Sequence, residues 1–477
     1  MGDRWTGLLH GLVGNKAAPA DVLLRLLGHE DEWVRRAVAR RAVLPQEVIE
    51  AVLVHPDRNV RIAFAENAGA DAEQRARLVD DPAPGVHLAL AMGPMSYRQR
   101  VAPLPDRVYE RLLNHPKALV RQELIAWGWT PAHVLAGLAD HEEPLFRRAA
   151  CQAWDRLPDE ARERLLHDED PGVRQAAALQ VCHEDEERTT WLVDRMEDAW
   201  RVGEVLAKGR LTRELAERVI AEGEGLAAIA CNPTLPRDLV ARLAVDPDPR
   251  VRLQVSARPE LSESERAAID YTVGAEDRLP VLDWMWERCE DAAFLRGCAR
   301  SSHTWLRRSA AVCPGLPSDA VELLAQDEDF AVRLLLAEFH PEPPPELLLD
   351  LYLHGTHRAV GMLVTRPGFP ADGLAARLGD SPDPRGRRLA LRDPGLEPEL
   401  LDRLSRDPQT CADAARDPRL PVARILELLA DPDPDPEAAV AARAAAANPA
   451  LPAGDMRRLL DRAGVPEIPV NDRTIDC

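Results

Sequence analysis

The stretch NPTLPRDLVARLAVDPDPRVRLQVSARP (232–259) decides the fold. Pro236, after Leu235, suits the first turn of a helix, where the N–H that proline lacks would go unpaired anyway. Leu239 and Leu243 lie four apart and draw one apolar stripe. Asp246-Pro247 ends that helix and opens the next turn, where an Asp carboxylate can accept orphan backbone N–H groups. Val251 and Val255 draw a second stripe, and Pro259 closes the segment. Two helices of about two to three turns each are too short to stand alone in water. Such a unit must bury its stripes against copies of itself.

The same phrase recurs along the chain, as in DPGVRQAAAL (170–179), DEDFAVRLLLAEF (327–339) and NPALPAGDMRRLL (448–460). Its apolar anchor falls at Val34, Val60, Val86, Val120, Phe146, Val173, Trp200, Leu226, Val251, Leu279, Leu306, Val332, Ala359, Gly386, Cys411 and Val440. Most neighbours are about 26 residues apart, a period that means stacked repeats. The expectation is an all-α solenoid of roughly seventeen two-helix repeats. Residues 1–28 read as a degenerate N-terminal capping repeat and 29–180 as regular repeats with an insertion near 93–102. Residues 181–225 read as irregular repeats with a bend, 226–462 as further regular repeats, and 463–477 as a mobile tail. The ends are expected to be capped rather than joined, and the protein to be a monomer.

At these residues the chain resembles the leucine-rich repeat variant family, relatives of HEAT and armadillo-like repeats. NPTLPRDLVARLAVDPDPRVR and DPRLPVARILELLADPDPDPEAAVAARAAAANPALP (417–452) carry that family's NP-LP-LL-DPD-VR phrase nearly intact. The resemblance covers most of the chain, strongest at 231–262 and 380–460, weakest at 85–105 and 180–225. It implies a right-handed superhelix whose second helix per repeat is 3₁₀-like, and an interaction surface rather than a named substrate. The cysteine-bound iron–sulfur unit that precedes the repeats in one family arrangement is not carried over, because no cysteine precedes Cys151.

Composition narrows the partners. A net charge of −20 repels phosphate backbones, so nucleic acid is excluded and a basic or neutral protein or peptide is favoured. Nearly all positive charge is Arg, which fits the coding bias of a GC-rich genome. The eight cysteines contain no CxxC pair, and Cys151 and Cys231 fall where other repeats hold small core residues. No signal peptide and no membrane-length apolar run is evident, so a reducing cytoplasm is expected. No cofactor or metal is called for, and the signatures of hydrolases, phosphate loops and zinc proteases are missing from the sequence.

Departures from the phrase supply the candidate sites. The insertion GPMSYRQRVAPLP (93–105) carries Tyr97, Arg98 and Arg100, and insertions in repeat proteins map to loops that often bind. Trp127 and Trp129, like Trp284 and Trp286, are spaced so that a helix would turn them to opposed faces, leaving one ring of each pair outside the core. Aromatic rings dominate interface hot spots, so these positions are candidate partner contacts. His29, His55, His115, His141 and His167 share a turn slot that later repeats fill with Asp, which points to capping. Metal binding along this column fails on distance, since ligands sit at about 2.0–2.1 Å and stacked repeats about 8–10 Å apart. An Arg column (Arg35, Arg61, Arg121, Arg147, Arg174, Arg252, Arg307, Arg333, Arg387) is expected to form an acid–Arg ladder between repeats. His-Glu steps at 29–30, 141–142 and 183–184 resemble those of HEAT-repeat di-iron hydroxylases, but differ in phase along the repeat. The leading expectation is a non-enzymatic scaffold; the alternative is a HEAT-like repeat enzyme of hydroxylase, lyase or glycosylase type.

Overall fold

The structure, a computed structural model, describes residues 2–94, 101–127, 129–430 and 436–467. Among these residues every regular element is helical and no strand forms. No described helix is long and apolar enough to cross a membrane.

In the segment that opens the argument, Pro236 stands at the N-cap of helix Arg237–Leu243 with φ −56°, one residue ahead of the expected first turn. Asp246 closes the following turn by accepting the Asp248 N–H at 2.8 Å. Asp248 in turn caps helix Pro249–Ser256 by accepting the Arg250 N–H at 2.8 Å. Leu239, Leu243, Val251 and Val255 are buried, as the two stripes require. The pattern repeats with Pro45 before Gln46–Leu53 and Asp57 capping Arg58–Ala65. These second helices are α rather than 3₁₀. Among the described residues 3₁₀ geometry is confined to Arg77–Asp80, Cys151–Arg156 and Arg358–Thr365.

The chain forms two compact units, one from Met1–Arg156 with Ala371–Cys477 and the other from Leu157–Pro370. In the first unit Glu32–Ala39 packs on Arg58–Ala65, that helix on Pro84–Met92, and that on Ala118–Ala126. In the second, Ala199–Lys208 packs on Leu226–Ala230, which packs on Pro249–Ser256, while Thr304–Val312 packs on Phe330–Phe339. The stretch 181–225 contains three helices of 10 residues each, Glu186–Arg195, Ala199–Lys208 and Arg213–Glu222. Most apolar anchors are buried, but Trp200 is 74% exposed and Val440 lies at the surface. In helix Ala199–Lys208, Val205 and Leu206 take the core positions instead.

A side-chain rung ties one repeat to the one before it. Asn232 Nδ2 donates to the Leu206 and Gly209 carbonyls, both at 2.7 Å. Arg258 reaches Ala230 and Asn232 O (2.8 and 2.7 Å), and Asn67 reaches Ala39 and Arg41 O, both at 2.9 Å. Asn448 reaches Ala415 and Asp417 O, both at 2.8 Å. These groups are buried, and a buried carbonyl without a partner is costly, so the rung both joins and registers the stack.

The first unit corrects the expectation of capped, unjoined ends. Helix Gly2–Gly14 packs directly on Pro436–Ala446. Asn15 Nδ2 donates to Ala446 O (3.0 Å) and Asn448 O (2.6 Å), the same rung across 433 residues of chain. Arg25 pairs with Asp461 at 2.8 Å and Arg457 with Asp21 at 2.7 Å. One continuous core holds Leu8, Leu12 and Val22 together with Ala445, Leu451 and Leu460. The first repeat is therefore an inner member of a stack, not a terminal cap. Val465 is buried and accepts a bond from Arg25, so the tail is packed at least to that residue.

Candidate binding site around Arg75, Tyr109 and Trp129

Two columns that look chemical in the sequence are committed to turns and ion pairs. Arg35 Nη1 donates to the His29 and Glu30 carbonyls at 2.7 and 2.6 Å, clamping the turn of its own repeat. Arg252 does the same to Asp246 and Pro247 O, and Arg387 to Ser381 and Pro382 O. The other side of each fork reaches the next repeat: Arg35–Asp57 and Arg61–Asp81 at 2.6 Å, Arg307–Asp327 at 2.7 Å, Arg387–Asp407 at 2.9 Å. The Arg35 guanidinium holds the Asp57 carboxyl below its ordinary range. The expected ladder is present, with a backbone clamp added.

The histidines act as turn acceptors. His29, His55, His115 and His141 each take the backbone N–H two residues on, at 3.0 to 3.1 Å through Nδ1. Asp168, Asp246 and Asp327 do the same with a carboxylate oxygen. His167 departs from the column: its Nδ1 faces the Glu163 carbonyl, and the neighbouring Asp168 holds the turn. Its spacing to the anchor, one residue longer than the others, is the visible sign. Cys151 is buried as expected, whereas Cys231 lies at the surface with its thiol donating to Ala228 O.

The rung fails at two consecutive positions. Counting four residues back from the step that starts each first helix puts Arg41 before Pro45, Asn67 before Asp71 and Trp127 before Pro131. In the repeat between Asn67 and Trp127 the insertion shifts that count. The equivalent residue, seven after the anchor Val86 as Asn67 is after Val60 and Trp127 after Val120, is Gly93, which has no side chain to donate. Gly93 has φ +68°, and a Cβ there would meet the Trp129 ring at 3.2 Å. At Trp127 the indole N–H turns instead to Glu123, and the ring is 43% exposed.

Between these positions lies a partly open cavity of about 290 Å³. Leu90, Leu104 and Leu124 line it with the Trp129 ring, the Tyr109 phenol and the Arg75 guanidinium. Tyr109 Oη accepts the Leu104 N–H at 3.1 Å and donates to Trp129 O at 3.4 Å, tying the Leu104 end of the insertion to the segment that follows Trp127. Arg75, on helix Ala72–Ala76, is 1% exposed. Its Nη2 donates to Ala102 O at 3.2 Å, and its Nε has no partner. Burial pulls its guanidinium below the usual arginine range.

Of the candidates from the sequence, Trp129 lines this cavity and Trp127 stands exposed in the adjoining repeat. Tyr97, Arg98 and Arg100 lie outside the described residues. Trp284 and Trp286 belong to the other unit, on helix Asp283–Trp286: Trp284 packs edge-on against Phe294 at 5.8 Å, and Trp286 is 46% exposed. Arg75 and Tyr109 went unnoticed in the sequence. The available signal was Arg75 itself, eight residues after Asn67 as Arg266 is after Arg258. Among the described residues no group of three or more His, Cys, Asp or Glu side chains converges as metal ligands would.

No protein-family model and no curated protein matches the chain. Among solved structures it is similar to the crystal structure of an engineered protein, with 18% identity over 90% of this chain and 98% of that one. The TM-score of that match is 0.14, too low to carry an argument about fold or function.

Proposed function

We propose that the protein is a non-enzymatic α-solenoid of the leucine-rich repeat variant type that holds a protein or peptide partner. Support for the solenoid comes from the recurring helix pairs and the carbonyl rung within each unit. Support for binding rests on one observation: Trp127 occupies a rung position yet presents its ring to solvent. A repeat that gives up a stacking contact and exposes an indole has the chemistry of an interface anchor. The acidic surface favours a basic or neutral partner, with association that slows as salt rises. Tagged full-length protein is expected to capture a near-stoichiometric, salt-sensitive partner from its native lysate. Trp127→Ala should reduce that capture at least fivefold while helical circular dichroism stays unchanged. Undiminished capture by the variant would remove Trp127 from the interface, and an empty wild-type eluate would count against the scaffold reading.

A further inference from the structure

We infer that the cavity lined by Arg75, Tyr109 and Trp129 is a binding site for a carboxylate carried on a small apolar or aromatic body, with Arg75 as its counter-ion. The inference rests on reading this region as a binding surface, and it adds the ligand's chemical class. A buried guanidinium normally brings its own acid or a full set of carbonyls, because an ionised group taken from water without a partner is strongly disfavoured. Arg266, at the equivalent position of another repeat, also leaves its Nε without a hydrogen bond, but it has two carbonyls and a nearby acid where Arg75 has one carbonyl. Arg266 Nη1 and Nη2 donate to the Ser256 and Arg258 carbonyls, and Glu263 stands 3.7 Å from its Nε. Among the described residues Arg75 donates to the Ala102 carbonyl alone and no carboxylate lies within ion-pair distance. Asp71, the carboxylate whose charge acts on it, is engaged in capping the helix that carries Arg75. The intervening MSYRQR (95–100) holds no Asp or Glu that could serve. Among the described residues this guanidinium has no ion-pair partner, which leaves its charge for a ligand's anion.

The rest of the cavity sets the body of the ligand. Leu90, Leu104, Leu124 and the Trp129 ring form apolar walls around the guanidinium, and the Tyr109 hydroxyl is already engaged on both sides. A cavity of about 150 Å³ holds benzene, so about 290 Å³ accommodates a ring or branched chain with its carboxylate. A planar two-oxygen anion matches the guanidinium fork, which offers more than one N–H to it. A free small acid and the C-terminal carboxylate of a peptide share this chemistry.

The test uses full-length protein, titrated calorimetrically with phenylacetate and its isosteric amide, and with N-acetyl-Gly-Phe as free acid and as amide. At least one acid is expected to bind tenfold or more tightly than its amide; preference for phenylacetate identifies a small-molecule site, and preference for the peptide acid a chain terminus. Arg75→Met should abolish the acid–amide difference and leave the melting temperature unchanged or raised. Equal affinity of each acid and its amide in the wild type, or no binding at millimolar concentrations, would overturn the inference without recourse to any variant. A melting temperature lowered by more than ten degrees in Arg75→Met would overturn it as well, by making the guanidinium a structural strut. Capture through Trp127 is read separately, so carboxylate discrimination can fail while partner capture stands, or the reverse.

Discussion

The amide of Asn67 shows what a rung does at the scale of one residue. Its Nδ2 serves two carbonyls of the preceding repeat and its Oδ1 accepts the Gly69 N–H at 2.9 Å, so truncation to Ala strands three backbone groups in a buried place. Net hydrogen bonds contribute about 1 kcal/mol each, and stranded buried groups cost more. Asn67→Ala is expected to lower unfolding free energy by about 2–4 kcal/mol in urea titrations, without a change in far-ultraviolet dichroism at zero denaturant. His303 makes a pH-dependent counterpart in the other unit. It is fully buried, its Nδ1 accepts the Trp305 N–H at 3.2 Å, its Nε2 lies 2.8 Å from Ser256 Oγ, and its ring stacks on Tyr271. Burial, with Arg266 nearby, pushes it from 6.5 to about 4. A folded value below the unfolded one means that the unfolded chain binds the extra proton. The stabilisation is therefore complete above pH 6.5 and is lost as the pH falls toward 4. At about 1.4 kcal/mol per pH unit that amounts to about 3 kcal/mol. Melting curves should show His303→Asn well below wild type at pH 7 and the gap closing by pH 4.5; a gap independent of pH would refute the assignment.

At the scale of elements, the helix pairs were legible because their signals are local. The Leu-Pro step, the Asp-led turn and the i, i+4 stripes each act within one unit. Pro236, Val251 and Val255 take the places those signals imply to within one residue, while the helix cap falls to Asp248, two residues past Asp246. The Arg column was legible in kind, since Arg35 and Asp57 are oppositely charged and recur in phase. The rung was not, because its acceptors are backbone carbonyls, which every residue carries and no sequence pattern marks. Trp200 misled for the reverse reason: it keeps the spacing of an anchor while Val205 and Leu206 fill the core. Arg75 escaped because a search for apolar stripes assigns no role to a buried cation. One close approach between elements was equally hidden. A Cβ on Gly11 would lie 2.3 Å from Arg443 O and 2.7 Å from Ala446 Cβ, whereas one on Gly7 of the same helix meets nothing within 4 Å. Alanine is the better helix former by about 1 kcal/mol, so Gly7→Ala should hold or raise the melting temperature. Gly11→Ala should lose about 1–3 kcal/mol by forcing the two helices apart. Equal effects of the two substitutions would mean that Gly2–Gly14 does not pack on Pro436–Ala446 in solution.

At the scale of the molecule, the first unit makes residues far apart in the chain into nearest neighbours. The rungs run from Asn448 on Ala415 and Asp417 to Asn15 on Ala446 and Asn448, then to Arg41 on Val13 and Asn15, and to Asn67 on Ala39 and Arg41. Nothing local distinguishes the step that spans the seam from the steps that follow the chain, which is why the periodicity alone read as a series with two free ends. Stability in stacked repeats is a sum of nearest-neighbour interfaces, so a lesion at one rung loosens its two flanks and fades along the stack. Asn15→Ala therefore should act on both sides of the seam together. Hydrogen exchange read by mass spectrometry is expected to quicken by tenfold or more in the Gly2–Gly14 helix and, to a similar degree, in Pro436–Ala446, the helix it packs on. Arg58–Ala65, two repeats along, should change less, and Ala118–Ala126 not at all. Faster exchange confined to the N-terminal helix would show that it frays alone, and the seam would then be no part of the cooperative stack.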